Sequence, residues 1–192
     1  MMLLPLMRWV SPLEKKISAL NLEALRTTSA EGRAADLPWA ALSRLDAGGW
    51  HSPHFSGEPP PTLQAVAAWL LRNGHDLDLE IKPTPGDEER TGRLVAAEVA
   101  RLWAGQARPP LLSSFRPEAL AGARQVAPGL PRALLVDTDW AGWWEVAIDL
   151  GCSAVITNFR LMDEALCQRL HAAGLRALCY TVNEPDEARR LQ

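Results

Sequence analysis

Hydrophobic positions along the chain switch repeatedly between two periods. In TLQAVAAWLLRNG, Leu63, Val66, Ala67 and Leu70 recur at helical spacing, and the run stops at Gly74. LDLEI, residues 77–81, then alternates as a short strand. GDEERTGRLVAAEVARLW carries acids in its first turn and sets Leu94, Val95, Val99 and Leu102 along one side, which predicts an amphipathic helix. The alternation continues downstream. PPLLSSF predicts a strand, and RPEALAGARQV a helix with Pro117 at a tolerated early position. RALLVD is a strand, DWAGWWEVAIDLG a helix closed by Gly151, and SAVITN a strand. MDEALCQRLHAAG is a helix, LRALCYTVN a strand, and EPDEARRLQ opens a last helix.

About five βα units in succession predict an α/β fold with a parallel sheet covered by helices. A closed barrel and an open doubly wound sheet both fit. No Gly-rich phosphate loop follows a strand, which weakens the nucleotide-binding version. The strand ends carry Glu80 and Lys82, Ser113 and Ser114, Asp137, Asn158, and Thr181 with Asn183. Polar residues gathered at C-terminal strand ends are what a barrel active site requires. AGGWHSPHFSGEPPP, residues 47–61, is too rich in Gly and Pro for a long helix or strand and reads as an ordered surface excursion.

Composition narrows the classes. The 192 residues are 47% hydrophobic and 22% charged, as in one soluble globular domain. A net charge of -3 gives no general attraction to nucleic acid or to an anionic membrane. Cys152, Cys167 and Cys179 have no metal-type spacing and read as reduced thiols. The N-terminal apolar run is broken by Pro5, lacks a basic segment before it, and is too short to span a bilayer. These features predict a cytoplasmic protein.

The candidate chemistry starts at Glu80 and Lys82. Residues two apart on a strand share a face. Glu80 is a hard oxygen ligand suited to Mg²⁺ or Ca²⁺, and Lys82 can hold an anionic group beside it. A cation and a lysine together suit phosphate ester chemistry, where charge develops on oxygen. The plain alternative is a strand-end salt bridge. His51 and His54, three apart with Glu58 nearby, are the remaining candidates for a catalytic or metal role, although Pro53 places them in a loop. His75 reads as a solvated loop residue and His171 as a residue that packs or caps at a helix end. Trp140, Trp143 and Trp144 have helical spacing and read as core or interface.

LDAG, PTL, LEIK, SSF and YTVN, in this order and spacing, resemble the glycerophosphodiester phosphodiesterase family, in particular its bacterial cytosolic branch. The resemblance runs from Arg26 to Gln192. It implies a (β/α)8 TIM-barrel type fold, with a small insertion about residues 46–61 and a segment 1–25 that does not match. It implies hydrolysis of glycerophosphodiesters to an alcohol and glycerol 3-phosphate in glycerophospholipid metabolism. The cofactor would be a divalent cation, Mg²⁺ or Ca²⁺, and the partner a small-molecule glycerophosphodiester, with no nucleic acid and no membrane. Glu80 matches the family's metal-binding glutamate, and Lys82 the lysine that contacts the substrate phosphate. Phe115 and Tyr180 match residues near the pocket mouth, and Asn183 closes the YTVN motif as a further substrate-binding position.

The departures are as informative. The family opens with a His-Arg-Gly strand, an acidic Glu-x-Asp pair and a second histidine, which together supply the acid, the base and two more metal ligands. Before Arg26 this chain reads VSPLEKKISALNLEAL and carries none of them. The family also continues past the YTVN helix to a strand with a Thr-Asp pair, whereas this chain ends at Gln192. The resemblance therefore implies an incomplete barrel, lacking its first strands and its last. A catalytically inactive relative, or an interaction module, is the alternative to an active phosphodiesterase.

Overall fold

A computed structural model describes residues 37–191. The reading of residues 1–25 lies outside them. The described residues open with the short helix α1 (Trp39–Leu42) and a loop containing a 3-10 turn at Pro53–Phe55. It then alternates α2 (Leu63–Asn73), β1 (Asp78–Glu80), α3 (Glu88–Leu102), β2 (Leu111–Ser114) and α4 (Pro117–Val126). There follow β3 (Arg132–Val136), α5 (Trp143–Asp149), β4 (Ala154–Asn158), α6 (Glu164–Ala172), β5 (Arg176–Tyr180) and α7 (Pro185–Arg190).

All neighbouring strands are parallel, and their order in the sheet is their order in the chain. A doubly wound sheet reverses its strand order at a switch point. This sheet has no reversal, so it is the wall of an incomplete (β/α)8 barrel. Period 2 gives each strand two destinations. Leu79, Ile81 and Leu112 face α2 and α3 and pack with Leu70, Val95 and Val99. Leu134, Val136 and Val155 face α5 and α6 and pack with Trp143, Ala147 and Leu170. The other face gathers Ala133, Leu135, Ala154 and Ile156, with Leu111, Leu178 and Tyr180 against them.

Local chemistry sets the ends of the elements. The Thr62 hydroxyl accepts from the Ala65 amide at 3.0 Å and caps α2, and Gly74 closes it at φ 69°. Asp46 holds the excursion: its Oδ1 accepts from the Gly48 and Gly49 amides, and its Oδ2 from the Ser56 hydroxyl. These bonds draw its carboxyl down to about 2. At the opposite end of the sheet the buried Arg132 guanidinium donates to the carbonyls of Pro128, Leu130, Leu150 and Gly151. It ties two strand-entry turns together with no carboxylate partner among the described residues.

Two expectations need correction, while the strand expected over residues 77–81 forms: its regular part is Asp78–Glu80, and the Leu111 amide donates to the Leu77 carbonyl and the Ile81 amide to the Ser113 carbonyl at its two ends. Leu94, expected on the buried side of α3, is 42% exposed. That helix turns Thr91, Gly92, Val95, Ala96 and Val99 inward instead, because it approaches α4 across glycine. Trp140 lies outside α5 and is exposed, since Gly142 at φ 93° starts the helix only at Trp143. Trp143 is buried and donates to Asp139 Oδ1 at 2.8 Å.

The crossing of α3 and α4 gives a test of the packing. A Cβ at Gly92 would lie 1.9 Å from the Ala119 carbonyl oxygen, and one at Gly122 2.1 Å from that of Glu89. Both obstacles are backbone, so neither can rotate away. Alanine would gain about 1 kcal/mol in helix propensity, but overpacking costs about 1–3 kcal/mol or more. Gly92→Ala and Gly122→Ala are each expected to lower stability in urea unfolding. Unchanged or raised midpoints would show that the helices do not meet this closely.

Candidate active site at the C-terminal mouth

Asp78, Glu80 and Lys82 follow one another at i, i+2 and i+4 and so share the face opposite Leu79 and Ile81. The side chain of Glu80 is 4% exposed and that of Lys82 23%. Lys82 Nζ stands 3.9 Å from Glu80 Oε1, too far for a hydrogen bond. Glu80 Oε1 is buried and accepts none among the described residues. In the β1–β2 register Glu80 faces Ser113, whose buried hydroxyl lies near the Asp78 carboxyl but makes no close hydrogen bond among the described residues. A buried polar atom without a partner costs about 1–3 kcal/mol, and Glu80 Oε1 and Asp78 Oδ1 are two such atoms on one face of β1. Ser114 points the other way. Its hydroxyl donates to the Ile81 carbonyl at 2.7 Å and accepts from the Arg116 amide at 3.1 Å. That pair of bonds pins the end of β1 to the end of β2 and fixes where Lys82 leaves the strand.

A second group sits at the ends of β3, β4 and β5. Tyr180 donates its phenolic proton to Asp137 Oδ1 at 2.9 Å, and Asn158 Nδ2 donates to the same oxygen at 3.2 Å. These bonds hold the Asp137 carboxyl below its ordinary value. Burial first, then the bond to Asp137, pushes the Tyr180 hydroxyl well up. A phenol so held keeps its proton and is unsuited to acid–base exchange near neutral pH. The Phe115 ring meets Tyr180 edge to face at 5.8 Å. Phe115 follows the end of β2, the strand paired with β1, so the two groups lie at the same end of the sheet.

Glu80, Lys82, Phe115 and Tyr180 thus come together. Asn183 is exposed in the β5–α7 turn, and its side chain makes no hydrogen bond among the described residues. His51 and His54 are exposed and pack their rings on Phe55, His51 also on Trp50. His75 stacks on Trp69 and His171 lies beside Cys167. No histidine of the four is in hydrogen-bond or ring contact with Glu80 or Lys82. Sequence reasoning placed Asp137 and Asn158 at strand ends but did not assign them to the site. It overlooked Asp78, although the same period-2 count that joins Glu80 to Lys82 reaches it.

The fit of a divalent cation can be judged from the donors. The unpartnered Glu80 Oε1 is a suitable oxygen. No group of three or more His, Cys, Asp or Glu side chains among the described residues could hold a metal. One carboxylate leaves a cation largely hydrated, so the described residues supply part of a site and not a complete one.

Asp78 provides a prediction of sign. Burial raises its carboxyl from 3.8 to about 6, the Glu80 charge adds to the rise, and the nearby Ser113 hydroxyl offsets part of it. The folded state therefore binds this proton more tightly than the unfolded chain. The resulting stability is complete below the unfolded value and disappears as pH rises through about 6. About two pKa units correspond to at most about 3 kcal/mol. Asp78→Asn should flatten the fall in unfolding free energy between mildly acidic and neutral pH. An unchanged slope in urea titrations would contradict this placement of Asp78.

Comparison with known proteins agrees with this geometry. The family model "Glycerophosphoryl diester phosphodiesterase family" matches residues 23–192. The chain is 27% identical over 176 residues to YhdW of Bacillus subtilis (strain 168), covering 87% of this chain and 68% of that protein. It is 25% identical over 196 residues to a glycerophosphodiester phosphodiesterase of the same organism, covering 92% of this chain and 65% of that one. Among solved structures it superposes on a phosphodiesterase of Oleispira antarctica in complex with the product sn-glycerol-3-phosphate. The TM-score is 0.80 and the identity 29%, over 92% of this chain and 71% of that one. No helix among the described residues is long and apolar enough to cross a membrane. A barrel wall in sequential order, an acid and a lysine at its mouth, and a family match over residues 23–192 lead to one assignment: the chain belongs to the glycerophosphoryl diester phosphodiesterase family.

Proposed function

We propose that the C-terminal mouth of this chain binds a glycerophosphodiester by its phosphate and serves its hydrolysis to an alcohol and glycerol 3-phosphate. The observation that carries this reading is the placement of Glu80 and Lys82 at the end of β1, with Glu80 Oε1 buried and unpartnered. Lys82 places a positive charge where a phosphate would lie, and Ser114 keeps the strand end in register. Phe115 and Tyr180, in edge-to-face contact, would wall one side of the mouth. A divalent cation, Mg²⁺ or Ca²⁺, with Glu80 as one of its oxygens, would neutralise charge on a phosphate oxygen when bound. The three cysteines are free thiols, which suits a cytoplasmic setting.

Proton transfer is the weak point of the arrangement. All four histidines are among the described residues, and their contacts lie elsewhere. A general acid or base contributes about 10²–10⁴-fold. Holding the substrate does not replace it, because only interactions stronger in the transition state accelerate the reaction.

Purified full chain, assayed on glycerophosphocholine with Mg²⁺ or Ca²⁺ beside the Bacillus subtilis relative, is expected to turn over at least about a hundredfold more slowly. Comparable turnover that disappears in Glu80→Gln would contradict this and would direct attention to His51 and His54. Binding is the second readout. Lys82→Ala should weaken sn-glycerol 3-phosphate about 10–100-fold in calorimetry, the value of a charge-assisted hydrogen bond. Unchanged affinity would remove Lys82 from the phosphate site.

A further inference from the structure

Both hydrogen bonds to Asp137 arrive on the same oxygen. Tyr180 and Asn158 use Oδ1, and Oδ2 has no hydrogen-bond partner among the described residues. The side chain is exposed, so this oxygen presents a fixed negative charge at the mouth. Phe115, 38% exposed, and Tyr180 stand beside it as an edge-to-face pair. The Tyr180 hydroxyl is committed to Asp137 and cannot donate to a ligand. What the pair still offers is ring surface, whose faces carry negative potential and attract cations. We propose that Asp137, with the rings of Phe115 and Tyr180, selects glycerophosphodiesters whose alcohol carries an ammonium group. This deepens the function proposed above and rests on it.

The order of side chains around the mouth supports the assignment. Glu80 faces Ser113, and the same register continued two residues sets Lys82 level with Phe115. Phe115 touches Tyr180, and Tyr180 bonds Asp137. A phosphate at Lys82 therefore has the aromatic pair on one side, with the unpartnered carboxylate oxygen beyond it. An alcohol with an ammonium group extends positive charge along that path. A neutral alcohol gains nothing there, and an anionic one is repelled by Asp137. Ion pairs and cation–π contacts at exposed sites are each modest, and together they imply a preference of about three- to thirtyfold. If the Asn158–Asp137–Tyr180 bonds only tied three strands together, their loss would weaken all ligands alike and leave the preference as it was.

Calorimetric titration of the full chain in Mg²⁺ buffer separates these cases. The ligands are glycerophosphocholine, glycerophosphoglycerol and sn-glycerol 3-phosphate. Glycerophosphocholine is expected to bind about three- to thirtyfold more tightly than glycerophosphoglycerol. In Asp137→Asn that ratio should fall to the about two- to fivefold left to the aromatic pair. Phe115→Leu, at an exposed side chain, should reduce it in part and serves as the test if Asp137→Asn does not fold. Equal affinities for the two diesters in the native chain, with sn-glycerol 3-phosphate bound, would overturn this inference and leave the proposed function standing. A ratio that survives Asp137→Asn and Phe115→Leu would overturn it as well. Failure of all three ligands to bind would remove the proposed function, and this inference with it.

Discussion

The alternation of side chains across a parallel strand is the constraint on which everything else rests. One face of β1 to β5 is taken up by helices, and that face must be apolar. Whatever chemistry the strands carry is confined to the other face. A shift of one residue in β1 would exchange Glu80 and Lys82 for Leu79 and Ile81 and would bury charge against α2 and α3. The register is therefore guarded by the whole core, and Ser114 adds a local pin between Ile81 and Arg116. The glycine crossing of α3 and α4 serves the same end, since these helices set the depth at which Leu79 and Leu112 pack.

Much of the fold was legible because the two periods differ so sharply. Helical spacing around Leu63, Val66 and Leu70, and the short apolar runs in RALLVD and SAVITN, each predict the element that forms. What escaped was the direction of faces that another helix decides. Leu94 has the periodicity of a buried residue, yet α4 meets α3 across Gly92 and leaves it outside. Trp140 has the spacing of a helical core residue, but a glycine at positive φ starts the helix later. No propensity scale carries either fact.

The site was legible in part for the same reason. Glu80 and Lys82 follow from period 2 alone, and Phe115 and Tyr180 from the resemblance. The bond from Tyr180 to Asp137 joins residues 43 apart in sequence. Nothing local in DTDW or CYTVN indicates it, because the closeness of β3 and β5 ends is a property of the barrel wall. The histidines illustrate the reverse. The spacing of His51 and His54 suggested a site, and their rings pack on Phe55 and, for His51, Trp50; His75 and His171, read as loop and helix-end residues, lie against Trp69 and Cys167.

On the function proposed here the mouth offers charge and shape for a phosphodiester, while the described residues supply an incomplete set of groups for turning it over. Glu80 Oε1 is buried without a hydrogen-bond partner among the described residues, a cost of about 1–3 kcal/mol that a bound ligand would offset. A crystal structure of the chain grown with sn-glycerol 3-phosphate is the most direct test of that account. It predicts phosphate density beside Lys82 Nζ, on the face of β1 that carries Glu80. Phosphate bound elsewhere, or Glu80 turned toward α2 and α3, would contradict it.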